Sequence, residues 1–172
     1  MKSWNIKTFT RASCLVASMA IGAAAAPVYA EKVMNVIPHA DLKNLDPIWT
    51  TAYISRNHGY MIYDTLFAMD DSFTPQPQMV DTWSNSEDGL TWTFVLRDGL
   101  TFHDGASVTG EDVVASLQRW GKRDGMGQQL FKVITSLEAS SANTVTMKLS
   151  EPYGLVLESI GKISSNVPFI MP

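Results

Sequence analysis

Cysteine is almost missing: Cys14 is the single thiol in 172 residues. Beyond it no disulfide, zinc-thiolate site or cysteine nucleophile can form, so the fold must rest on a noncovalent core. A membrane-length apolar run is also lacking. The uncharged stretch CLVASMAIGAAAA covers only residues 14–26, short of the ~20 residues that a spanning helix needs. Acidic side chains do not occur in residues 1–30, where Lys2, Lys7 and Arg11 stand alone. After residue 30 the balance turns to ten basic against 17 acidic side chains, a net charge of −7. Neither a basic patch nor a basic amphipathic helix is then available, which argues against a general nucleic-acid or anionic-membrane binder. No internal repeat is visible. With 45% hydrophobic and 17% charged residues, the chain is too apolar for a disordered tail and too aperiodic for a fibre.

What the first thirty residues do contain reads as a secretory signal peptide. Lys2, Lys7 and Arg11 form a positive start, residues 14–26 an apolar run, Pro27 a helix breaker, and Val28-Tyr29-Ala30 a cleavage site before Glu31. An uncleaved anchor fits less well because the run is short. A lipoprotein fits less well because Cys14 precedes the run. Residues 31–172 then remain, without any thiol, and a domain of that size buries roughly two-thirds of its unfolded surface.

Along that segment, Val33-Met34-Asn35-Val36-Ile37 reads as a strand. Thr50 or Thr51 is expected to cap a helix carrying Ile54, Met61, Ile62 and Leu66 and ending near Phe67. Residues 70–78, with two prolines and Asp70-Asp71, read as a surface connection. Trp92, Phe94 and Leu96 alternate with Thr91, Thr93 and Val95 as in a half-buried strand, and Asp98-Gly99 predicts a hairpin turn returning through Leu100-Thr101-Phe102. Thr109 and Asp112 form a variant capping box for a helix with Val113, Leu117 and Trp120 on one face. The glycines of GKRDGMG, residues 121–127, are expected to end it in a solvated turn. Residues 135–139 and 144–149 read as strands around Ser141-Ala142-Asn143, with Val145, Met147 and Leu149 facing one way, and a short helix follows Pro152. The sum is a mixed α+β fold.

Catalytic constellations are scarce. His39, His58 and His103 are far apart, with no second ligand at i+4, so no metal site is expected. Gly105 to Gly110 reads G-x-S-x-x-G, one residue too long for a nucleophile elbow, which leaves Ser107 structural. Glu111-Asp112 is explained by helix capping and not by a glycosidase pair. A small secreted hydrolase using His103, Asp104 and Ser107 is the enzymatic alternative. Trp49 and Tyr53 differ from the other aromatics because they stand where a loop enters a helix, a place that suits ligand binding.

The order Leu45-Asp46-Pro47, Tyr63-Asp64-Thr65-Leu66-Phe67, Asp81-Thr82-Trp83-Ser84, and then the run from Asp88 through Arg97-Asp98-Gly99 to Phe102-His103-Asp104-Gly105, resembles the family 5 extracellular solute-binding proteins of bacterial ABC importers. Val108-Thr109-Gly110-Glu111-Asp112 and Ser150-Glu151-Pro152-Tyr153 continue the pattern, although Gly110 stands where Ala is usual. The resemblance implies a type II periplasmic-binding-protein fold in the α/β class: residues 31–76 opening the larger lobe, 77–168 forming an inserted small subdomain, and 169–172 a truncated continuation, with the second lobe absent. It implies a periplasmic protein that performs no reaction, needs no cofactor, and passes peptides or similar small solutes to the permease subunits of an importer. The segment after Leu45-Asp46-Pro47 lines the cleft in that family, which places Thr50, Thr51 and Tyr53 as substrate-binding residues. A truncated chain that binds nothing alone is the competing expectation.

Overall fold

The computed structural model describes residues 33–172, so the expected leader over residues 1–30 lies outside the described residues. Ile37–Pro172 forms one compact unit. In chain order its elements are α1 (Tyr53–Tyr60), β1 (Asp64–Thr65), β2 (Phe67–Met69), β3 (Pro75–Pro77), β4 (Val80–Asn85), β5 (Thr91–Leu96), α2 (Gly110–Gly121), α3 (Gly125–Val133), β6 (Ile134–Ser141), β7 (Thr144–Leu149), α4 (Val156–Ile160) and β8 (Phe169–Ile170). Among the described residues no helix is long and apolar enough to cross a membrane.

The centre is an antiparallel sheet in the order β4-β5-β7-β6. Its inward residues follow from the period-two alternation: Phe94 and Leu96 on β5, and Val145, Met147 and Leu149 on β7, are all buried. Helix α2 packs on β6 and β7 and adds Val113, Leu117 and Trp120, the face expected from its spacing. It begins at the expected capping box, in which the Thr109 hydroxyl accepts from the Asp112 N–H (3.3 Å) and the Asp112 carboxylate accepts from the Thr109 N–H (2.8 Å). On the other flank Trp83 and Trp92 stack with centroids 5.8 Å apart, and Phe67 meets Phe94 edge to face at 5.9 Å.

Several local expectations give way. Asp98-Gly99 does turn, with Gly99 at φ +74°, but no return strand follows; only Thr101 and Ser107 form an isolated bridge. The reason is topological, because β5 already pairs with β4 on one edge and β7 on the other, which leaves no edge for Leu100-Thr101-Phe102. Residues 33–37 are exposed and irregular instead of a strand. Helix α1 is shorter than expected, ending at Tyr60 instead of Phe67, since Asp64 and Thr65 are drawn into β1 by Ile170 and Phe169 of β8. Its cap is Ala52, with no side-chain acceptor, in place of a threonine. Residues 70–78 are more than a connection: β2 and β3 form a hairpin around Asp70. The Asp70 carboxylate accepts from the Thr74 backbone, the Gln76 amide and the Ser72 backbone, and these bonds hold its pKa below the ordinary carboxylate value.

The glycine-rich stretch 121–127 hides a second helix. Asp124 caps α3 by accepting from the Met126 and Gly127 N–H groups at 2.9 and 3.0 Å. Gly121 is required by contact: a Cβ there would lie 2.3 Å from the Phe131 ring, so only a bare α-carbon lets α3 fold back this closely. What looked like flexible punctuation is a tight helix–helix corner.

Candidate functional site

The predicted binding residues sit on the loop that leads into α1, and that loop is fixed mainly by residues far away in the chain. It begins with an Asx turn. Asp46 Oδ1 accepts from the backbone N–H groups of Ile48 (3.0 Å) and Trp49 (3.3 Å), while Asp46 Oδ2 takes the Arg119 guanidinium of α2. Ile48 is buried in the core, which anchors the loop from beneath. Asn166 then closes it from the opposite side. Its side-chain amide donates to the carbonyls of Ile48 (2.9 Å) and Thr50 (3.0 Å), with a longer contact to Pro47 (3.4 Å). The Asn166 carbonyl in turn accepts from the buried indole N–H of Trp120 at 2.9 Å. A continuous path of hydrogen bonds therefore runs from the core tryptophan to the backbone of the candidate site.

On this support Thr50 is half-buried, its hydroxyl accepting from the Ala52 N–H (3.2 Å). Thr51 is exposed, and Tyr53, the first residue of α1, keeps 58% of its surface in solvent. Trp49 beside them is 59% exposed. Each aromatic carries a guanidinium on its face: Arg123 lies 4.1 Å from the Trp49 ring centroid and Arg56 4.4 Å from that of Tyr53. Arg123 also donates to the Trp49 carbonyl at 2.7 Å. Behind the corner, Gly59 admits Phe169 and Pro47, since a Cβ at that position would come within 2.7 Å of the Phe169 ring. Burial pushes the Tyr60 phenol above its usual pKa, and the charge of Arg56 partly offsets this.

His103, Asp104 and Ser107 lie elsewhere. Asp104 closes a tight turn by accepting from the Ala106 N–H (2.9 Å), and among the described residues no hydrogen bond joins His103 to Asp104 or Ser107. His103 and Asp104, but not Ser107, line a separate cavity of about 420 Å³ with Ile62, Met79, Phe102 and Ile170. No group of three or more His, Asp or Glu positioned to hold a metal occurs among the described residues.

Sequence reasoning had the loop but not its clamps. Arg119, Arg123 and above all Asn166 carry no local signal, because Asn166 meets its partners across 116 to 119 residues of chain. Replacing Asn166 by alanine is expected to lower stability by about 2 kcal/mol, since the carbonyls of Ile48 and Thr50 lose a buried donor. Thermal unfolding followed by circular dichroism measures it, and a change within error would mean that the loop is held without Asn166.

Comparison with known proteins now bears on this corner. The family model for bacterial extracellular solute-binding proteins, family 5 (its middle region), matches residues 74–170, more than half of the chain. The chain belongs to this family. Among curated relatives, a probable peptide ABC transporter periplasmic-binding protein of Sinorhizobium fredii is 39% identical over 95% of this chain and 32% of its own length. A glutathione-binding protein of Pectobacterium atrosepticum is 27% identical over 91% of this chain and 31% of its own. Among solved structures, a periplasmic binding protein from A. tumefacien in complex with mannopinic acid aligns with a TM-score of 0.65 at 29% identity, over 77% of this chain and 28% of its own. Another, in complex with agropinic acid, gives 0.66 at 25%, over 77% of this chain and 26% of its own. The chain thus spans about a third of the length of the curated relatives it matches. The type II periplasmic-binding-protein fold expected from the sequence is borne out, and the family and these relatives are solute-binding proteins, not enzymes.

Proposed function

We propose that this chain is part of the periplasmic substrate-binding component of an ABC importer, which captures peptides or similar small solutes for passage across the inner membrane. The observation that carries this reading is the family 5 match over residues 74–170. In this reading residues 1–30 are a cleaved signal peptide, residues 31–76 open the larger lobe, 77–168 form the inserted small subdomain, and 169–172 resume the lobe. The antiparallel pairing of Asp64 and Thr65 with Ile170 and Phe169 supports that division, since it sets the outgoing and returning segments side by side. Thr50, Thr51 and Tyr53 are the cleft-facing residues, supported by the exposure of Thr51 and Tyr53 where a loop clamped from three sides enters α1. Permease subunits are the partners, and the protein performs no reaction of its own.

A ligand that binds only the native state raises the unfolding midpoint by mass action, by about 2.7 kcal/mol of added stability at a hundredfold excess over Kd. The purified chain melted with a dipeptide mixture is expected to unfold several degrees higher than without it, and a Tyr53→Ala variant is expected to lose most of that rise. An unshifted midpoint would favour the competing reading of a chain that binds nothing alone. That reading is supported by the fraction of the relatives' length that the chain spans.

A further inference from the structure

Aspartate precedes glycine four times in the chain, at 88–89, 98–99, 104–105 and 124–125. That dipeptide carries a latent reaction, because glycine has no Cβ to shield its backbone nitrogen from the side-chain carboxyl before it. The fold treats the four copies differently. Asp88 accepts from the Ser86 hydroxyl and the Leu90 N–H, bonds that hold its carboxyl below the ordinary pKa, and the Gly89 N–H donates to the Ser86 carbonyl at 2.8 Å. Asp104 accepts from the Ala106 N–H, and the Gly105 N–H donates to the Phe102 carbonyl at 3.0 Å. Asp124 is buried between the two N–H groups that it caps and the Lys162 ammonium. At 98–99 both residues are exposed, and among the described residues no hydrogen bond engages the Asp98 carboxylate or the Gly99 N–H. Apart from its chain neighbours, nothing lies within 4 Å of where a Cβ on Gly99 would stand.

We propose that the fold leaves Asp98-Gly99 open as a modification site, at which aspartate converts to isoaspartate through a succinimide ring. The Gly99 nitrogen bonds to the side-chain carbonyl carbon of Asp98, and the carboxyl hydroxyl leaves with the amide proton as one water. One water then opens the ring. Attack at the side-chain carbonyl restores aspartate, whereas attack at the main-chain carbonyl leaves Gly99 joined through the side chain, which is isoaspartate. Only a protonated carboxyl loses its hydroxyl as water, so mild acid speeds the step, and the bonds that favour the ionised form of Asp88 oppose it there. The product adds one main-chain carbon to the turn after β5, where Gly99 stands at φ +74°.

The test is a weeks-long incubation of the purified chain in mildly acidic buffer, followed by digestion and electron-transfer fragmentation, which locates each isoaspartate along the sequence. Isoaspartate is expected at residue 98 in roughly thirtyfold excess over residues 88, 104 and 124, the scale of two hydrogen bonds that must open first at each of those sites. In a chain unfolded by urea the four sites are expected to convert at similar rates, because the dipeptide is the same. Equal conversion at the four sites of the folded chain, most conversion at another of them, or none at residue 98 overturns the proposal. An excess at residue 98 that persists undiminished in urea also overturns it, since local sequence and not the fold would then select the site.

Discussion

Replacement of Trp120 by alanine is expected to remove about 3–5 kcal/mol of stability and to lower the unfolding midpoint by roughly 10 °C or more. Trp120 is fully buried, on the face of α2 that meets the central sheet, and Gly127 of α3 approaches its ring so closely that a Cβ there would lie 3.1 Å away. Truncation opens a cavity that this tight helix corner cannot easily fill. It also strands the Asn166 carbonyl, whose donor is the Trp120 indole N–H. The two losses can be told apart. Trp120→Phe keeps most of the volume while it removes the N–H and a few ring atoms, so it is expected to cost less, about 1–3 kcal/mol. Denaturant unfolding of both variants measures the difference, and equal losses would mean that the hydrogen bond, and with it the path to the binding loop, contributes most of what Trp120 does.

That path also marks the boundary of what could be read from the sequence. The sheet face was legible because its signal is local: Phe94, Leu96, Val145, Met147 and Leu149 alternate with period two, and every one of them is buried. The start of α2 was legible for the same reason, since a capping box needs only Thr109 and Asp112. Where the outcome depended on a distant competitor, local rules failed. Asp98-Gly99 turned as expected, but β4 and β7 had already taken both edges of β5. The 121–127 stretch read as a solvated turn that ends α2, while Gly121 and Gly127 serve the close approach of Phe131 and Trp120. At the candidate site the positions Thr50, Thr51 and Tyr53 came from family resemblance; Thr51 and Tyr53 are exposed and Thr50 is half-buried. Asn166 and the two arginines of the α2–α3 region could not be found that way, because their partners lie in a loop more than 70 residues distant. Side-chain type alone gives such a residue no periodic or motif signal.

Removal of the Asp124 carboxylate is the second large effect, and its size depends on what is left behind. Asp124 is 1% exposed and carries two duties: it caps α3 through the Met126 and Gly127 N–H groups, and it pairs with Lys162 at 2.5 Å. The Lys162 side chain is itself only 13% exposed. In an Asp124→Ala variant the ammonium keeps its poor hydration and loses its partner, which costs about 3–5 kcal/mol for a buried pair broken on one side. The lost cap adds about 1 kcal/mol. Changing both residues separates the two contributions. With Asp124→Asn and Lys162→Met together, the amide oxygen still caps the helix and no unpaired charge is buried, so most of the stability is expected to return. Urea unfolding of the two single variants and the double variant gives the coupling between the residues directly. A double variant as unstable as Asp124→Ala would mean that the Asp124–Lys162 pair itself supplies the lost stability, and not the cap or the avoidance of a stranded ammonium.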